Sequence, residues 1–362
     1  MLKPRTPSRM LSLIGAVAVC MVCAPSACAQ QQILDTPIRV KVVVVAMFER
    51  GEDTGDDPGE YQFWVEREHL DQILAMPAGY HHVRMNKDGV LGLLTGVGTA
   101  KAAASVMALG LDPRFDLSKA YWIVAGIGGG APSEVSLGSA VWVEHIVDGD
   151  LAFEIDGRQI PENWTTGYVP LGKSVPFEQP MDEKRAGIFT LNPELTAWAY
   201  WLTHDLSLAD SEDLKNYRAR FAGYTNALRP PFVSHGDQIS SSTFWHGAKM
   251  EEWAKEWVRY YTGGKGNYVV CGMEDSGTLQ SLVFLSQAGR VDLQRVLVLR
   301  TVSNYDREPP GVTAADSLKS LAAGNYSAYL PSLDAAERVG DKVVREILVH
   351  WQERETKLPH AP

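Results

Sequence analysis

Residues 267–306 read NYVVCGMEDSGTLQSLVFLSQAGRVDLQRVLVLRTVSNYD. A short apolar run from Tyr268 to Cys271 leads into Gly272-Met273-Glu274-Asp275 and then a helical pattern. A second apolar run, residues 296–299, ends in polar Arg300, Ser303, Asn304 and Asp306. The order strand, helix, strand predicts an α/β fold with acids and amides at the ends of both strands. Ligands of open α/β sheets bind outside the carboxyl ends of the strands, so Glu274 and Asn304 can face one crevice. A plainer reading stands beside this one. Glu274 and Asp275 are acids of the kind favoured at helix starts, and Asn304 and Asp306 suit a turn before Pro309-Pro310-Gly311.

Working outward, residues 39–47 (RVKVVVVAM) form a nearly continuous β-branched run, expected to be a buried strand of a parallel sheet. It opens into an acidic, glycine-rich loop, 48–60, that begins Phe48-Glu49-Arg50. A strand at 89–95 precedes Gly96-Val97-Gly98 and an alanine-rich helix, and such glycines allow close approach of backbone to a ligand or tight strand–helix packing. The strand at 120–125 runs into Gly126-Ile127-Gly128-Gly129-Gly130, where four glycines in five positions again mark a ligand contact or a tight corner. A further strand is expected at 139–143, and helices at about 193–221, 249–261, 313–321 and 332–353. Residues 161–180 form a Pro- and aromatic-rich excursion suited to a lid or a subunit contact. Glu144, His145 and Asp148 lack the compact spacing of a metal motif, so no metal is expected.

These segments resemble the nucleoside phosphorylase and nucleosidase superfamily. The wording of GMEDSGTL and LRTVSNYDREPPG is similar to the branch called purine nucleoside permeases. The resemblance implies one α/β domain, residues 30–362, with a central mixed β-sheet flanked by helices and a helical insertion at about 190–265. It also implies a purine nucleoside as ligand and cleavage of its N-glycosidic bond as chemistry. Met273, Glu274 and Gly128 would meet the ribose; Phe244, Trp245, Ser303 and Asn304 would meet the base. Glu49 corresponds to the acid that activates water in nucleosidases, with Asn304 and Asp306 as further catalytic candidates. Arg50, Gly96, Gly98 and Gly126 correspond to the anion or nucleophile site. The chain departs from the phosphorylases at Val124 and Ile127, where they carry side chains that bind phosphate, and it has Asn304 where many relatives carry an acid. Water is therefore the expected nucleophile and phosphate the alternative co-substrate, with no other cofactor. A homo-oligomer is expected. The permease name adds a second reading, a periplasmic binder that captures nucleosides for uptake without cleaving them.

At the N-terminus, Lys3, Arg5 and Arg9 precede an apolar stretch, 10–23, and Ala27-Cys28-Ala29 fits a cleavage site. Such a pattern predicts a secretion signal peptide, residues 1–29, cut after Ala29 to release the protein into the periplasm. No later apolar stretch reaches the ~20 residues a membrane span needs, so none is expected in the mature chain. Its loss would leave 31 basic residues against 44 acidic, a net charge of −13, which argues against nucleic acid polymers as partners. Three of the four cysteines lie in the leader, so only Cys271 would remain and no intramolecular disulfide can form.

Overall fold

The computed structural model describes residues 36–178, 187–324 and 328–362. The expected leader and the last two residues of the 161–180 excursion lie outside the described residues. Thr36–Pro362 forms one compact unit around a ten-stranded mixed sheet. From one edge its strands are Ile188–Thr190, Ala140–Asp148, Val233–Ser240, Tyr268–Gly272, Tyr121–Gly130, Val42–Ala46, Val90–Leu94, Val83–Met85 and Gln72–Leu74. The tenth, Val296–Tyr305, pairs parallel with Tyr121–Gly130 and antiparallel with Ala140–Asp148. That double pairing closes five strands on themselves, and the middle of Val296–Tyr305 has no free edge.

Successive side chains of a strand point to opposite faces. Val43, Val45, Trp122 and Val124 pack with Val106 and Leu109 of the helix Thr99–Leu111 and with Leu282 and Leu285 of the helix Asp275–Gln287. Val42, Val44, Tyr121 and Ile123 face the other way, toward Trp198 of Pro193–Thr203 and Val339 and Val343 of Tyr329–Val349. Covering both faces is what demands the unbroken valine run. The α/β class with a mixed sheet and flanking helices is the one expected.

Three expectations change in detail. The glycines at 126–130 are not a loop: they complete the strand Tyr121–Gly130, in register with residues 300–305. Ser303 and Asn304 likewise lie within Val296–Tyr305 rather than after it. Both apolar runs stop before their strands do, because backbone pairing continues where the side chains turn polar. The 190–265 stretch is not helical throughout either, since Val233–Ser240 runs through it as a central strand. Its first helix breaks after Thr203, and a second, Glu212–Arg218, restarts where Ser211 accepts a hydrogen bond from the Leu214 N–H.

The helix that follows Glu274 is held against Thr99–Leu111 by two glycines. A Cβ on Gly277 would run into the Thr99 carbonyl oxygen, and one on Gly110 into the Leu285 side chain. Backbone cannot yield as a side-chain tip can, and overpacking of this kind costs about 1–3 kcal/mol. Gly277→Ala is expected to lose that much stability in urea denaturation. Gly157→Ala, which adds a methyl group to open space, should leave the midpoint unchanged.

Candidate active site

The site is assembled around a buried cation. The Arg300 guanidinium donates to Asp275 Oδ2 from Nη2 at 2.6 Å and from Nε at 3.0 Å, and reaches Glu274 Oε2 at 3.2 Å. Its Nη1 donates to the Ile127 carbonyl at 3.1 Å, and the Gln238 amide also donates to Asp275 Oδ2. Three strands and a helix start therefore meet at one side chain that is 1% exposed. Two glycines exist to admit it. A Cβ on Gly272 would lie 2.8 Å from Arg300 Cζ, and one on Gly126 would lie 2.9 Å from Nη1. The glycine signal in these segments thus belongs in part to ion packing, while Gly128, Gly129 and Gly272 also border the cleft described next.

Glu274 precedes the helix Asp275–Gln287, yet its side chain caps no helical amide. It turns instead across the sheet, where Oε1 accepts the Gly98 N–H at 3.1 Å and Oε2 the Met273 N–H at 3.2 Å. Burial pushes its pKa up, Arg300 pulls it down, and the net direction is upward. Asp275 is wholly buried beneath it and pairs with the same guanidinium. Removing one partner of such a buried pair typically costs about 3–5 kcal/mol. These two acids divide the labour: Asp275 neutralises Arg300, and Glu274 is held at the wall of a cavity.

That cavity, about 260 Å³, is a cleft bordered by Met273 and Glu274 at one point and by Ser303 and Asn304 at another. A register shift between Val302 and Asn304 lets adjacent residues of one strand both reach the cleft. Ser303 Oγ donates to Asn304 Oδ1 at 3.0 Å, and Asn304 Nδ2 donates to the Tyr305 carbonyl at 3.0 Å. These bonds fix the amide and leave it one N–H and one lone pair for a ligand. Phe244, 44% exposed, lines the cleft beside Trp245, which is buried against Trp253 and Tyr268. Arg50 also lines it, stacked 4.1 Å from the Tyr329 ring centroid and paired with Asp57 at 2.8 Å.

So the structure brings together Met273, Glu274, Gly128, Phe244, Trp245, Ser303, Asn304 and Arg50. It does not bring Glu49 into the lining: that carboxylate accepts the N–H groups of Arg50, Gly59, Tyr61 and Gln62 and so ties the acidic loop to the start of the helix Gln62–Arg67. Asp306 also lies behind the cleft. Its Oδ2 accepts from the Tyr268 hydroxyl at 2.5 Å, and burial, reinforced by Glu251, pushes its pKa up to about 8. Gly96, Gly98 and Gly126 stand behind the wall as well, although the Gly98 amide holds Glu274. Val124 is core, and Ile127 lines the cleft while its N–H is committed to a carboxylate.

That carboxylate belongs to Glu60, which the sequence reading passed over. Its Oε1 accepts from Ile127 at 2.7 Å and its Oε2 from Met47 at 2.8 Å, and the side chain lines the cleft. Burial pushes its pKa up to about 8, against the pull of Arg300. The loop offers six acids between 49 and 60, and nothing in their spacing separates the buried one from the rest. Arg300 and Tyr329 were likewise invisible as site residues, since each acts through a contact distant in sequence.

Residues 39–358 match the family described as purine nucleoside permease. A purine nucleoside permease of Candida albicans is 28% identical over 262 residues, 72% of this chain and 64% of that protein, so the match leaves over a third of the relative uncovered. Two Helicobacter pylori structures share the fold at 13% identity and a TM-score of 0.50. One is futalosine hydrolase, covering 85% of this chain and 98% of that one. The other is 5′-methylthioadenosine/S-adenosylhomocysteine nucleosidase, covering 86% and 100%. With a sequence match across nearly its whole described length, the chain belongs to the purine nucleoside permease family.

Proposed function

We propose that the cleft binds a purine nucleoside and that the protein hydrolyses its N-glycosidic bond. The observation that carries this reading is the Glu274 carboxylate, buried, backed by Arg300 and facing the same cleft as Glu60 and Asn304. A carboxylate offers acceptors to the 2′- and 3′-hydroxyls of ribose, and Met273 packs on the sugar. Phe244 supplies a flat apolar surface for the base, and Asn304 donates its remaining N–H to a ring nitrogen. That bond strengthens as charge builds on the departing purine. Asn304 cannot deliver a proton, so water must protonate the base.

Glu60 takes the part first expected of Glu49. A general base must reach the attacking water and be ionised, and Glu60 is the cleft-lining acid besides Glu274. Phosphate is the less suitable nucleophile. Gly126–Gly130 is a paired strand rather than an open nest of amides, and Arg50 already holds Asp57. The leader expected at residues 1–29 would deliver this site to the periplasm. A second reading, capture for uptake without cleavage, is favoured by the missing base acid at Asn304 and by the name its Candida albicans relative carries.

Glu274→Ala is expected to weaken inosine binding by about 1.5–3 kcal/mol, the usual worth of a hydrogen bond to a charged group, and to leave hypoxanthine binding nearly intact. Calorimetric titration with both ligands measures this; equal loss for both would make Glu274 structural. Base release from inosine should proceed at the same rate with and without phosphate and yield free ribose. Ribose 1-phosphate would identify a phosphorylase instead, and binding without release would identify a binder.

The pH dependence follows from Glu60. Its pKa lies near 8 in the folded protein, and only the ionised form accepts a proton, so kcat should rise as pH passes upward through about 8. Glu60→Gln should flatten that limb and lower kcat by about 10²–10⁴-fold, the range for general-base loss, with inosine affinity retained.

A further inference from the structure

The strands Ala140–Asp148 and Val233–Ser240 run parallel and end side by side, with Asp148 opposite Ser240. The first chain then turns at Gly149, where Asp148 Oδ1 accepts the N–H groups of Asp150 at 2.8 Å and Leu151 at 3.1 Å. The Gly149 N–H donates to the Ser240 carbonyl at 2.8 Å. A Cβ on Gly149 would lie 3.2 Å from Ser241 Cβ, so this turn is pressed against the second chain. It presents the Asp150 carboxylate to residues 241–242.

Both carboxylate oxygens are used there. The Ser241 hydroxyl, on a residue 4% exposed, donates to Oδ1 at 2.5 Å, and the Ser242 N–H donates to Oδ2 at 2.8 Å. Ser241 Oγ in turn accepts the Thr243 N–H at 3.1 Å. One side chain thus holds two successive backbone amides, the second through a serine. Ser242 Oγ is tied on its other side to Thr99, whose N–H it accepts at 3.1 Å and whose hydroxyl it meets at 2.8 Å. The next residues, Phe244 and Trp245, are walls of the cleft. Trp245 is buried, whereas Phe244 is exposed, and the setting of its ring depends on the backbone that carries it. Hydrogen bonds to an ionised acceptor are the stronger kind, which suits this one to fix that backbone.

We infer that Asp150 is a positioning residue for the base. It lies outside the cleft lining, and its two hydrogen bonds hold the segment that presents Phe244. This inference rests on the reading of the cleft as a nucleoside site with Phe244 against the purine. A ring set before the ligand arrives loses less freedom on binding than one fixed by the ligand. The role asks for hydrogen-bond geometry more than for charge. An amide at position 150 accepts the Ser242 N–H and donates to Ser241 Oγ, which has lone pairs for it and for Thr243. A methyl group does neither.

Asp150→Ala is expected to weaken inosine and hypoxanthine equally, by about tenfold each in calorimetric titration, the worth of one side chain that binding must now immobilise. Asp150→Asn should restore most of that affinity. Hydrogen exchange read by mass spectrometry needs no ligand: Asp150→Ala should speed exchange in residues 241–245 and leave the helix Asp275–Gln287 unchanged, and Asp150→Asn should keep the segment protected. If Asp150→Ala does not fold, Ser241→Ala removes one of the two bonds and should give the same equal loss. Faster exchange with unchanged affinity, a loss confined to inosine, or an asparagine variant as weak as the alanine one would overturn the assignment. Failure of the native protein to bind either ligand would instead sink the nucleoside reading and the role in base binding with it, leaving the exchange data to decide only what Asp150 holds.

Discussion

The constraint on which the site depends is the burial of Arg300. A guanidinium without water must be paired and hydrogen-bonded, and here Asp275, Glu274 and the Ile127 carbonyl meet that need. The partners come from the start of Asp275–Gln287, where Glu274 is the N-cap, and the glycine-bearing end of Tyr121–Gly130, and they meet the side chain of a third element, Val296–Tyr305. Satisfying one side chain therefore fixes three backbone segments against each other. It also explains why small residues surround it, since Gly126 and Gly272 are where a methyl group would strike the ion.

The cleft is built on the outer surface of that network. Glu274 is oriented by the same Arg300 that Asp275 neutralises, and by an amide at the start of Thr99–Leu111, where the helix dipole favours negative charge. The cleft then carries two acids in unlike settings. Glu274 has a cation within 3.2 Å. Glu60 has two backbone amides, at 2.7 and 2.8 Å, and deep burial that favours its protonated form. One is suited to hold hydroxyl groups and the other to exchange a proton.

Three acids that looked alike in the chain thus have three different roles. Glu49 spends itself on four backbone N–H groups and shapes the loop that presents Glu60. Asp306 takes the hydroxyl of Tyr268 behind the cleft. Glu60 alone of these reaches the cavity. What separates these acids is which of them lines the cleft.

Local pattern determined a good deal. Valine runs marked the buried strands, and the strand–helix–strand at 267–306 placed Met273-Glu274 and Ser303-Asn304 where they could share a crevice. These signals are legible because strand burial and helix periodicity are properties of neighbouring residues. The tertiary structure decided the rest. The strand Val296–Tyr305 runs past its apolar residues because two neighbours pair with it. The glycines of 126–130 are strand rather than loop for the same reason. The choice of Glu60 over Glu49 turns on the Met47 and Ile127 amides, the latter 67 residues away in the chain. Contacts between residues distant in sequence leave no periodic mark, so burial and hydrogen-bond occupancy, which set each acid's chemistry, appear only once the chain is folded.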